Sequence, residues 1–219
     1  MERDVVSVNT KVVIHPLTVR ITHWVNVLAI FIMIGSGWRI YDASPLFADF
    51  KFPPNITVGG WLGGALQWHF AAMWVLGVNA LVYLSYGVLS GHFRKSFLPI
   101  RLKAIVADLM SALHGHLPHE LGVYNAVQRL AYVGVIVVVA VIVISGLAIW
   151  KPVQFQEIGA LMGGYEGARR VHFFGMWALV AFVAVHVVMV VVVPRTFLPM
   201  WSGWTRVKVS SDQHRGIRR

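Results

Sequence analysis

The chain has 219 residues, 57% of them hydrophobic and 13% charged. A water-soluble domain of this size needs more polar surface to cover its core, so an ordinary soluble fold is excluded. Cysteine is absent, which excludes disulfides, thiolate metal sites, iron–sulfur clusters and the C-x-x-C-H attachment of covalent haem.

In chain order, residues 1–17 form a short polar arm. An apolar run follows from Thr18 to Tyr41. It is too long for a signal peptide, lacks a small-residue cleavage site, and carries His23, Trp24 and Arg39. The loop 41–60 contains Pro45, Pro53 and Pro54 and is expected to be an ordered, non-helical cap. A second apolar run spans Trp61 to Leu89. In the segment from Ser90 to Tyr124, Leu102, Ile105, Val106, Leu109, Met110 and Leu113 recur at helical spacing. That amphipathic helix, flanked by Arg101 and Lys103, is expected to lie on the membrane surface. A third run covers Val127 to Trp150, a loop whose end is glycine-rich covers 151–167, and a fourth run covers Ala168 to Val193. After Pro194 the chain is polar and basic, and a disordered tail is expected.

Each run reaches the roughly 20 residues that a spanning helix needs at about 1.5 Å rise per residue. The predicted fold is all-α, an integral membrane four-helix transmembrane bundle over residues 1–200 with a basic tail over 201–219. The formal net charge is +10. Fourteen of the 19 Lys and Arg fall in the arm, the 90–124 loop or the tail, counting Arg20 and Arg129 at the adjoining ends of the first and third runs. Arg39, Lys51, Lys151, Arg169 and Arg170 fall on the other side. That asymmetry puts both termini on the cytoplasmic face of a bacterial inner membrane. Anionic headgroups account for the remaining basic charge, leaving no role for nucleic acid.

The ends of the first and third runs, "IGSGWRIY" and "VISGLAIW", echo one another. Small residues there serve either a helix crossing or the close approach of a flat cofactor.

Of ten histidines, four lie within apolar runs: His23, His69, His172 and His186. Polar groups at membrane depth are costly and point to function, although a single one can be met by a carbonyl. Helix direction sorts these four by depth, into an inner pair, His23 with His186, and an outer pair, His69 with His172. His172 and His186, fourteen residues apart, share a helix face at about 21 Å separation. By simple counting His69 lies deeper than His172, unless the fourth helix begins several residues before Ala168.

Zinc or copper would want further ligands, and no Cys, Asp or Glu is available at that depth. Haem iron needs only its two axial positions filled. Two non-covalent haems b fit the count, the spacing and the apolar surroundings, with electron transfer as their role. Arg39, Arg169 and Arg170 on the outer side, and Arg20 and Arg195 on the inner, are candidates for haem propionates, with interfacial snorkelling as the equal alternative. His114, His116 and His119 in "HGHLPHE" read as solvated loop residues, and His15, His92 and His214 as surface residues.

The motifs "RITHWVN", "LQWHFAAMW", "YNAVQRLAY" and "RRVHFFGMWALVAFVAVHVV" give the chain a resemblance to the bacterial cytochrome b561 and hydrogenase-type cytochrome b group, which includes the gamma subunit of formate dehydrogenase-N. The resemblance covers about residues 15–200. It implies a four-helix cytochrome with two b haems that accepts electrons outside from a metallo-oxidoreductase and delivers them to quinone near the inner haem. By the same resemblance, Asn125 and Gln128 match the quinone-side motif. The segment from Ile40 to Phe70 looks most like the branch associated with periplasmic molybdopterin oxidoreductases. A stand-alone superoxide:quinone oxidoreductase is the alternative, with the outer arginines beside the outer haem. A histidine proton relay in a transporter is a third reading, opposed by the few spans and the absence of membrane-embedded carboxylates.

Overall fold

The computed structural model describes residues 7–47, 49–97, 102–113, 126–194 and 197–210. Four helices are long and apolar enough to cross a membrane: α1 (Leu17–Ala43), α2 (Leu62–Leu89), α5 (Ala126–Trp150) and α7 (Gly164–Val192). Between them lie the short helices α3 (His92–Phe97), α4 (Leu102–Leu113) and α6 (Gln156–Leu161), and α8 (Phe197–Ser202) follows α7. The protein is a multi-pass membrane protein. Continuous helix is the required backbone state here, because lipid offers no partner for an open N–H or C=O.

Two antiparallel hairpins make the bundle: α1 packs along α2, and α5 along α7. Small and polar residues fill the helix contacts, with Ala29, Ser36, Ala65, Ala72, Ser145, Ala148 and Ala168 all buried. The bulky residues, among them Leu28, Phe31, Leu81, Val141 and Val188, face outward. That inversion suits a lipid solvent, where close helix contact and not apolar burial drives association. One polar clamp holds the first hairpin. The Asn79 side-chain amide donates to the Thr22 carbonyl at 2.7 Å and to Asn26 Oδ1 at 2.7 Å.

The 44–61 connection folds back over the end of α1. Val58 N–H donates to the Gly35 carbonyl at 3.0 Å, and Phe52 N–H to Asp42 Oδ1 at 2.9 Å. Among the described residues of this cap a single 3-10 turn, Pro54–Ile56, interrupts the non-helical path. The expected amphipathic helix is α4, and its Asp108 carboxylate accepts from the Ala126 N–H at 2.6 Å, capping the first turn of α5.

Two departures from the sequence reading have physical causes. The fourth spanning helix starts at Gly164, a turn earlier than expected, because Gly163 takes a left-handed φ of 86° and restarts the helix directly after α6. The C-terminal segment is also structured from Phe197 to Ser210, while residues 211–219 of the expected tail lie outside the described residues. Beyond α8, strand β2 (Trp204–Ser210) pairs antiparallel with β1 (Ser7–Val13), in register from Ser7↔Ser210 to Val13↔Trp204. The reversal between α8 and β2 is made by Gly203, at φ 87°, where a Cβ would meet the Arg20 guanidinium at 2.8 Å. Its carbonyl accepts from Ile14 N–H at 2.9 Å and His15 N–H at 3.2 Å, seating the ribbon at the foot of α1.

Candidate functional site

The four membrane histidines stand in two facing pairs. His69 of α2 and His172 of α7 have ring centroids 6.4 Å apart, and His23 of α1 and His186 of α7 have theirs 6.2 Å apart. The ring planes are inclined by 62° in both pairs. Because α7 begins at Gly164, His172 lies about as far inside α7 as His69 lies inside α2, which removes the depth mismatch obtained by simple counting.

The His69/His172 station is built from two equivalent halves, one per hairpin. In the first, Ser36 Oγ of α1 lies 3.0 Å from His69 Nδ1; in the second, Ser145 Oγ of α5 lies 3.2 Å from His172 Nδ1. Glycine follows each serine and lies against the same ring. A Cβ on Gly37 would meet His69 Cε1 at 3.5 Å, and one on Gly146 would meet His172 Cε1 at 3.1 Å. The "SG" echo in the sequence therefore marks the seat of the two rings as well as a helix crossing. Above this station sits an aromatic cap in which Trp38 stacks on Phe52 at 4.7 Å and Tyr41 on Phe173 at 5.0 Å.

The His23/His186 station lies at the end that carries the β-ribbon, and aromatic rings surround it. Trp24 meets His23 edge-on at 5.2 Å, and Phe182 stacks on His186 at 6.0 Å. Trp24 also packs against Trp201 of α8 at 5.3 Å. The two-half symmetry ends here. The positions fourteen residues after His69 and thirteen before Ser145 are Tyr83 and Tyr132, where the matching positions hold His186 and His23.

Among the arginines, Arg169 is committed to structure. It pairs with Glu166 at 2.9 Å and donates to the Ser44 carbonyl, strapping the start of α7 to the end of α1. Arg39, in the last turns of α1, and the exposed Arg170 form no ion pair among the described residues. Gln128 lies in the first turn of α5. Asn125, His114, His116, His119, Arg195 and His214 fall outside the described residues. His15 differs from its reading as a surface residue: it is half-buried. Burial, then the neighbouring His92 and Arg20, hold its pKa below 6.5.

The donor set can be tested against a haem. A metal–imidazole bond of about 2.0 Å, plus about 1.1 Å from nitrogen to ring centre, puts two axial rings about 6.2 Å apart across one metal. Both stations match. Among the described residues no group of three or more His, Asp or Glu gathers. Trp38 Nε1 and Arg20 Nε are buried donors with no acceptor among the described residues. Buried donors normally find acceptors, and propionate carboxylates are acceptors of the right kind. The residues fit the group.

A membrane helix bundle with facing imidazoles and no thiolate has the outline of a membrane b-type cytochrome. The chain belongs to the prokaryotic cytochrome b561 family, whose model matches residues 14–203. It is 59% identical over 191 residues to a proposed protein-methionine-sulfoxide reductase subunit, YedZ1, of Azospira oryzae, an alignment covering 87% of this chain and 96% of that one. More distant relatives are proposed B-type cytochrome subunits of Ni/Fe-hydrogenase. The one from Azotobacter vinelandii is 29% identical over 94% of this chain and 93% of its own, and the one from Bradyrhizobium diazoefficiens 26% over 80% and 76%.

Proposed function

We propose that the chain is a di-haem electron-transfer subunit joining a periplasmic oxidoreductase to the quinone pool at the cytoplasmic side of the inner membrane. His69 with His172, and His23 with His186, are the residues that would hold the two haems. The observation that supports this most is the repetition of one ring separation and one ring inclination at two levels of the bundle. Each haem, when bound, supplies a one-electron relay with no open iron position. The chain's own part is to hold four imidazoles in place and to surround them with apolar helices that exclude water. The fourteen-residue interval on α7 spaces the two stations by about 21 Å.

Orientation rests on charge. The end carrying the ribbon, α3 and α4 holds most of the basic residues, which supports a cytoplasmic placement. There the resemblance assigns Asn125 and Gln128 to the quinone. At the opposite end Arg39 and Arg170 are the remaining propionate or docking cations. Arg169 is already engaged with Glu166 and Ser44, which weakens the stand-alone superoxide reading that drew on it.

The 59% relative favours a reductase over a hydrogenase as the partner. Such a partner, of the molybdopterin class by the sequence resemblance, would reduce methionine sulfoxide. Sulfoxide reduction to the thioether takes up two electrons and two protons and releases one water, so electrons would run outward, from quinol through the inner to the outer haem.

Selective haem loss tests the assignment. His69→Ala removes one haem of two and His186→Ala removes the other, read as haem b per protein with reduced spectra. If either variant keeps two haems, the pairing is wrong.

A further inference from the structure

We infer that Ser36 and Ser145 are positioning residues for the outer haem: each hydroxyl accepts from the Nδ1–H of the histidine on the partner helix of its own hairpin, which leaves Nε2 as the ligating nitrogen. The inference rests on the di-haem reading above and adds which ring nitrogen binds, and what sets its donor strength.

The hydrogen-bond inventory favours this direction. A serine hydroxyl has one hydrogen. Ser36 Oγ sends it to the Ile32 carbonyl at 2.6 Å, one turn back on α1. Ser145 Oγ sends it to the Val141 carbonyl at 2.8 Å or the Ile142 carbonyl at 3.0 Å. Both oxygens therefore face the rings with lone pairs only. His172 Nδ1 lies 2.9 Å from the Ile142 carbonyl as well, and a carbonyl can only accept. The proton of His172 is thus on Nδ1, shared between the Ile142 carbonyl at 2.9 Å and Ser145 Oγ at 3.2 Å, and Ser36 places the proton of His69 on the same nitrogen.

Both serines are completely buried, so water does not compete for these bonds. A serine in a membrane helix commonly satisfies itself on the preceding turn. Here that local bond is what turns the hydroxyl into an acceptor.

A ring that donates its second N–H is a more basic ligand and stabilises the ferric state. Among the described residues the inner pair lacks this device. Neither His23 nor His186 makes a hydrogen bond among the described residues, and aromatic edges and faces surround them instead. The two stations are therefore tuned differently by the protein, with the serines lowering the potential of the His69/His172 station alone.

The experiment is a redox titration of the full-length protein in detergent, followed by haem b spectra and by the low-spin ferric EPR signals. It compares the wild type with Ser36→Ala/Ser145→Ala and with Ser36→Thr/Ser145→Thr. Two haems in the wild type establish the underlying reading; fewer would overturn that reading before any variant is compared. In the double alanine variant one midpoint potential rises and the other stays. The expected change is about tenfold in that haem's reduced-to-oxidised ratio, equal to 59 mV for one electron. The threonine variant, which keeps the hydroxyls, follows the wild type. Loss of the outer haem in the alanine variant with retention in the threonine variant supports the same conclusion. Unchanged potentials, equal shifts in both haems, or a threonine variant that behaves like alanine would overturn it.

Discussion

Gly37 and Gly146 occupy equivalent places beneath the two outer histidines, yet alanine should act differently at each. At Gly37 the added Cβ comes to rest 3.5 Å from His69 Cε1 and 3.8 Å from Nδ1, which is ordinary contact. Alanine there gains up to about 1 kcal/mol of helix propensity and loses nothing. At Gly146 the Cβ arrives 3.1 Å from His172 Cε1 and 3.4 Å from Nδ1, so the ring must retreat by a few tenths of an ångström. That ring is held by the Ile142 carbonyl at 2.9 Å. Retreat stretches a hydrogen bond worth about 1 kcal/mol or twists the side chain off its rotamer at about 0.5–1.5 kcal/mol. Gly146→Ala should therefore be near neutral, about 1 kcal/mol or more less stable than Gly37→Ala. Reversible unfolding in mixed detergent measures the difference. The reduced spectrum should show weaker haem retention in Gly146→Ala alone. Equal stability, or the reverse order, would refute the seat described for His172.

Two further expectations follow from groups outside the histidine pairs. Asn26→Ala, Asn79→Ala and the double variant form a cycle across the α1–α2 clamp. Its coupling should be about 0.6 kcal/mol and at most about 1.7 kcal/mol, the average and maximum for hydrogen bonds between membrane helices, and a coupling of zero removes the Asn26 arm of the clamp. His15 carries a lowered pKa in the folded protein, so below pH 6.5 the unfolded chain binds more protons at this site than the folded one. Stability at the foot of α1 should fall as pH drops below that value. In melting curves across pH 5–8, His15→Gln should show a flatter dependence than the wild type; an unchanged slope refutes a contribution from His15.

The four spanning helices were legible because lipid imposes a simple rule: about 20 consecutive apolar residues form one spanning helix. The depth argument for the histidines depended on where the fourth helix begins. Gly163 and Gly164 carried that information, but their left-handed turn gives no hydropathy signal. The β-ribbon was missed for a different reason. Its strands are seven residues each and lie at opposite ends of the sequence, so their pairing is set by the fold that brings the termini together. The alternation in "WTRVKVS" was the available local trace. The serines were hidden by their ordinary behaviour, since a back-bonded serine in an apolar helix is common. The two-residue echo of Ser36–Gly37 in Ser145–Gly146 was visible, but its meaning required seeing which ring each serine faces. Asn26 and Asn79 were equally visible as polar residues in apolar helices, but their pairing depends on the register of α1 against α2, which the sequence does not carry.

The count of haems per chain tests the central claim most directly. The full-length protein, produced with ample haem and purified in mild detergent, is reduced with dithionite and its haem b quantified against protein as the pyridine haemochrome. The account expects two haems b per chain, one for each histidine pair. A single haem would contradict one of the two stations, and none would contradict the proposed role of all four histidines.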